Sequence, residues 1–221
     1  MNQVRYFNII AITLFLMGCE TVYYNTMEKF GVQKRDILTS RVEKVRDAQV
    51  DAKDQFQSAL EQFSSVVNFD GGDLEVMYKK MNGEYEDSEA KAKKVNNRIK
   101  SVENVADALF AEWEGELEQY SNASLKAQSR QELIETRAHY EKLLQSMKRA
   151  AAKMDPVLTT FHDQVLFLKH NLNAKAIASL QGSLDGIKTD VTKLVSEMEA
   201  AIDEANSFIQ TYEAQNKKES K

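Results

Sequence analysis

Four stretches of this chain place apolar residues at alternating steps of four and three. The first runs Leu38, Val42, Val45, Gln49, Ala52, Phe56, Ala59, Phe63, Val66, with Gln49 its one polar member. The second runs from Leu74 and Tyr78 to Leu109 and Trp113, with Ser88 the polar member. The third runs from Leu133 and Arg137 to Leu168 and Leu172, and the fourth from Ile177 and Leu180 to Phe208 and Tyr212. Such steps keep the apolar side chains on one face of an α-helix, and a seven-residue repeat favours a left-handed supercoil of packed helices. Further apolar residues flank the stripe: Ile134, Leu143, Val157, Leu166, Val195, Ile202 and Ile209. A stripe that wide calls for more than one partner helix.

The breaks between stretches are short. Asn68-Phe69-Asp70-Gly71-Gly72-Asp73 reads as a turn, with Asp73 as cap of the next helix. Ser121-Asn122-Ala123-Ser124 is the second break, followed by Ser129 and Glu132 in a capping-box pattern. Asn171-Leu172-Asn173 is the third, and Asn25 with Glu28 makes a capping box for the first helix. The expected helices span about 25–67, 74–120, 126–171 and 174–213, each roughly 60–70 Å long at about 1.5 Å per residue. Matched lengths and short turns predict an all-α, elongated up-down-up-down four-helix bundle, an antiparallel coiled coil of four chain segments. Residues 214–221 are polar and are expected to be disordered. Pro156 falls inside the third segment, either as a kink or as a restart with Asp155 as cap. Folding the first hairpin about residues 70 and 71 sets Gln49 and Ala52 opposite Ala92 and Ser88. That is a narrow, partly polar layer suited to close approach and register control.

Ahead of the first helix, Arg5 precedes an apolar run from Phe7 to Leu16, and Leu16-Met17-Gly18-Cys19 closes it. Ten apolar residues are too few to cross a bilayer, where about twenty are needed. The order of charge, apolar run and small residue is that of an export signal. The only cysteine stands just after the expected cut and resembles the acceptor of bacterial lipoproteins. The expectation is a signal at 1–18, lipidation at Cys19 and a tether over 19–24. Two or more acyl chains hold a protein on a membrane where one does not. Glu20 stands where an Asp would, by the best-known sorting rule, favour the inner membrane, so the outer membrane facing the periplasm is expected. Tyr23, Tyr24, Met27 and Phe30, with Lys29, Lys34 and Arg35, suit either the membrane interface or a closing layer of the bundle.

The chain carries a net charge of −5. An acidic chain is a poor binder of nucleic acid, whose affinity comes from neutralising phosphates. One cysteine allows no disulfide within the chain. His139, His162 and His170 have no mutual metal spacing and read as exposed helix positions. Glu112, Glu114, Glu116 and Glu118 read as a solvated helix face. Asp70-Gly71-Gly72-Asp73 lacks the length and the later Glu of a calcium loop. Gly182-Ser183-Leu184-Asp185-Gly186-Ile187-Lys188-Thr189 is too short between its glycines for a phosphate loop, and the helical stripe continues through it. No nucleophile and base pair is readable, so neither an enzyme nor a cofactor or metal is expected.

Four longer phrases carry a family resemblance. They are Tyr24 to Leu38 (YNTMEKFGVQKRDIL), Phe63 to Leu74 (FSSVVNFDGGDL), Glu112 to Leu125 (EWEGELEQYSNASL) and Pro156 to Gly182 (PVLTTFHDQVLFLKHNLNAKAIASLQG). The chain resembles an uncharacterised family of Gram-negative lipoproteins, a domain of unknown function. The resemblance implies a shared fold and a shared anchor, and no activity. Members sometimes carry a DNA-repair ATPase label, which the broken phosphate-loop pattern here speaks against.

The functional expectation is a non-enzymatic, lipid-anchored rod of the cell envelope. Its partners are the membrane through Cys19, an envelope protein and, by pairing of exposed seams, a second copy; nucleic acid is not among them. The turns at 68–73 and 170–173 share the end away from the anchor. Phe69, Asp70, Asp73 and His170 are the candidate contact residues there. The alternative is a bundle that opens and lays amphipathic helices on a bilayer.

Overall fold

The computed structural model describes residues 33–68, 73–171 and 173–219, with side-chain surroundings left out at 174–176 and 215–219. Helices α1 (Lys34–Val67), α2 (Leu74–Leu117), α3 (Ala123–His170) and α4 (Ala174–Glu219) account for nearly all of them, and there is no strand among the described residues. Each helix lies beside its two neighbours in the ring α1–α2–α3–α4, and α4 closes back on α1. The result is the up-down-up-down bundle that the heptads predict. We call the end with the start of α1 and the α2–α3 turn the near end, and the other the far end.

The helix ends follow their capping chemistry. Asp73 Oδ1 accepts from the Glu75 amide at 2.8 Å, so the expected cap of α2 is in place. The cap of α3 differs from expectation. Asn122 Oδ1 accepts from the amides of Ser124 and Leu125 at 2.9 and 3.2 Å, so α3 starts at Ala123 and not at 126. Ser129 is already inside the helix, and its hydroxyl accepts instead from Trp113 Nε1 at 2.8 Å. One asparagine that satisfies two orphan amides removes the need for the later capping box. The expected box at Asn25 and Glu28 lies outside the described residues, and α1 is described from Lys34. At the C-terminus α4 runs on to Glu219, beyond the expected end at 213.

Pro156 does not interrupt α3, which overturns the restart at Asp155. The proline is exposed on the outer face, where the carbonyl it leaves unbonded meets water. Thr159 and Thr160 return their hydroxyls to the carbonyls of Asp155 and Pro156, each at 3.0 Å.

The heptad stripe is the core. All nine stripe positions of α1, Gln49 included, are buried. The middle of the bundle is lined by small residues: Ala48, Ala52, Ala92, Ala150, Ala151, Ala201 and Ala205 are all buried. Cross-helix contacts put them at one height: Asp51 on Lys91 and Lys94, Lys53 on Glu199, Arg149 on Glu197. Aromatic rings sit towards the ends. Phe63 meets Phe161 at 6.3 Å towards the far end, while Phe110 meets Tyr140 at 5.4 Å and Phe208 stacks on Tyr212 at 4.7 Å towards the near end. Of the flanking apolar residues, Leu143, Val157 and Ile209 are buried and Val195 and Ile202 half-buried. Ile134 and Leu166 are exposed instead, at 56% and 41%.

Candidate functional site

The far end is where the candidate contact residues were placed. Asp73 is exposed and spends one carboxylate oxygen on its own helix cap. His170 is the last residue of α3, exposed and next to Lys169, which suits a helix C-terminus. Antiparallel packing brings both to one end of the bundle, though no contact joins them. Phe69 and Asp70 lie outside the described residues, as does Cys19. The other two histidines are also exposed, and His162 tilts over the Tyr85 ring at 5.1 Å. Among the described residues no three His, Cys, Asp or Glu converge on one point. The segment Gly182–Thr189 is continuous helix, so its backbone amides are committed to the helix and cannot cradle a phosphate.

The near end is richer in directed contacts than its sequence suggests. The glutamates of 112–118 are not merely solvated. Glu112 holds the buried Lys34 at 2.9 Å, Glu114 holds Arg137 at 2.8 Å and Glu118 holds Lys126 at 3.1 Å. Arg137 also lies over the Phe110 ring at 4.9 Å. Burial pushes the Tyr140 phenol well above its ordinary range, and neighbouring Asp107 and Glu103 add to the shift. Tyr212 is pushed up by burial as well, partly offset by its hydrogen bond with Thr136. Beside these groups, α2 and α3 enclose an open groove whose walls include Leu117, Leu133, Ile134 and Ala138, rimmed by Arg130 and Glu141. Sequence reasoning assigned Ile134 to the core and so missed this face. The spacing of Arg130, Ile134, Ala138 and Glu141 along one stripe was its only signal.

At mid-height, Gln49 is fully buried and neither atom of its amide has a hydrogen-bond partner. Ser88, across the same layer, donates to the Glu84 carbonyl at 2.6 Å and is satisfied. The layer expected from folding the first hairpin is therefore present, with the Gln49 amide unpartnered by any protein group.

Among the described residues no helix is long and apolar enough to cross a membrane. The family model described as a protein of unknown function (DUF2959) matches residues 23–212. No curated protein matches the chain, and no solved structure matches it. The match runs from just ahead of α1 to the Tyr212 layer of α4, spanning all four helices, and so the chain belongs to the DUF2959 family.

Proposed function

We propose that this protein is a lipid-anchored rod of the bacterial cell envelope, non-enzymatic, and that it works by contact with other envelope proteins. The observation that carries the reading is the junction at residues 16–23. The family match begins at Tyr23, four residues after Cys19. The apolar run and its cysteine thus lie just outside the matched region, as an export signal and tether would. Acyl chains on Cys19 would hold the near end, because Lys34 begins α1 there. The far end, with Asp73 and His170, is then presented away from the bilayer as the contact surface.

Two experiments test this. Growth with an alkyne-tagged fatty acid labels the wild-type chain, and Cys19→Ser loses both the label and the membrane fraction. An unlabelled wild-type chain ends the anchoring reading. In-cell crosslinking from position 69 captures an envelope protein, and exchanging residues 68–73 for glycine and serine releases it. Unchanged capture after that exchange ends the far-end contact.

The orphaned amide of Gln49 favours a second reading, in which the bundle opens and applies its helices to lipid. An amide that lacks partners in the closed state regains them when the seam parts. Flotation of the Cys19→Ser chain with anionic vesicles tests it, and absence of binding at every lipid composition removes it.

A further inference from the structure

Arg130, Ile134, Ala138 and Glu141 stand at steps of four, four and three on the outer face of α3, and all four are exposed. Ile134, at 56%, is the most exposed of the described large hydrophobic residues. Leu117 and Leu133, both buried in the core, form the floor of the groove beside it. Arg137 forms a fixed wall, held by Glu114 at 2.8 Å and by the Phe110 ring. The two ends of the stripe carry opposite charges, about 17 Å apart at ~1.5 Å per residue. Neither Arg130 nor Glu141 has a counter-ion among the described residues, although their neighbours Arg137 and Lys142 do.

We infer that this stripe docks against the same stripe of a second copy, antiparallel, about a two-fold axis between Ile134 and Ala138. In that arrangement Arg130 of each copy meets Glu141 of the other, and each Ile134 covers the other copy's Ala138. A two-fold contact uses one patch twice, so the patch must complement itself. This one does in the antiparallel sense alone, because parallel alignment sets Arg130 on Arg130 and Glu141 on Glu141. The small Ala138 lets the helices approach, and the two charge pairs at the rim fix orientation more than they add affinity. The contact is only a few turns long and falls in the size class of weak, reversible association. The contact itself needs neither the lipid anchor nor the far-end contact. Rods paired this way point in opposite directions, so on a membrane the pair lies along the bilayer, and only the single chain presents its far end away from it.

The test is sedimentation of the full chain in detergent micelles over rising concentration. The wild-type chain passes from one copy to two. Arg130→Glu and Glu141→Arg, each alone, weaken the association roughly tenfold or more, by setting like charges together. The double exchange Arg130→Glu with Glu141→Arg restores it, and Ile134→Asp abolishes it. All four side chains are exposed, so at concentrations where the wild-type chain is single every variant keeps the wild-type helical signal and melting temperature, which separates lost pairing from lost folding. Scattering gives the pair a longest dimension well beyond that of one rod, since the stripe lies towards one end of α3. A wild-type chain that remains single overturns the inference. So does a double exchange as weak as its parents, or a pair indifferent to Ile134→Asp.

Discussion

The two halves of the rod are held together differently. From the near end to mid-height, helices are joined by charge. Lys34 meets Glu112, Arg137 meets Glu114, Lys142 meets Glu204 and Lys148 meets Glu103, while Asp51 takes both Lys91 and Lys94. Lys53 with Glu199, at 3.6 Å, and Arg149 with Glu197, at 3.9 Å, are the last of these. Beyond them, among the described residues, no ion pair joins two helices. Gln55 and Ser58 reach Glu84 across the α1–α2 seam at 2.7 and 3.2 Å, and beyond them the buried core of the far end is Phe63, Phe161, Leu168 and Leu180. Exposed pairs contribute only about 0–1 kcal/mol each, so the difference is not mainly one of total stability. It lies in where the structure opens first, since local opening starts where packing is least reinforced.

The largest test of that contrast is a cavity at the far end. Phe161→Ala removes a buried ring from the Phe63 contact and should cost about 3–5 kcal/mol. Hydrogen exchange should then rise first at the far ends of α1 and α3 while the amides around Phe110 stay protected; an even rise along the rod breaks the comparison.

Next is Gln49, which sits on the boundary between the two halves. Leaving a buried amide unpartnered costs about 1–3 kcal/mol, and Gln49→Met keeps the shape without the polar atoms. The urea midpoint should move up with an unchanged slope. A lower midpoint shows that the amide has a partner after all.

Alkali should weaken the near end, where the two most deeply buried of the described tyrosines lie. Tyr140 and Tyr212, both towards the near end, have phenols raised by burial. An unfolded tyrosine ionises near about 10 while these stay neutral, so the unfolded chain binds fewer protons and stability falls as pH rises above that value. Tyr140→Phe and Tyr212→Phe should each flatten this alkaline limb, and a limb unchanged by both places the titrating group elsewhere.

The smallest effect belongs to Asp51. Its two lysine hydrogen bonds hold its carboxyl below the usual carboxylate range, so its contribution is present above the unfolded value and lost as pH falls through the lower, folded one. The group is 43% exposed, and Asp51→Asn should cost less than about 1 kcal/mol at neutral pH. A larger loss would give the near-half ion pairs a structural weight that solvent screening denies them.

The repeat alone made the architecture legible, because a heptad stripe has one buried face whatever its neighbours are. It could not rank the flanks. Ile134 flanks the stripe as Leu143 does, yet Leu143 is fully buried and Ile134 is not. At the height of Ile134, α2 has reached its end at Leu117, and among the described residues no helix remains to cover it. The same limit applies to the caps. Asn122 and Ser129 both have cap-forming side chains, and only the position of Trp113 reveals that the serine is used elsewhere. For the candidate site, Asp73 was readable as a cap. The pairing of Glu112, Glu114 and Glu118 was not, since their partners lie on other helices or across a turn.

The narrow alanine-lined middle has a consequence for assembly. A seven-residue repeat offers each helix many equivalent alignments, one notch apart. Sliding α1 by one notch towards the near end would carry the ring of Phe56 into the layer that the smaller Gln49 now fills beside the alanines of the other helices, and overpack it. The waist thus indexes four otherwise interchangeable threads, so that helices of similar length arrive with their ends level.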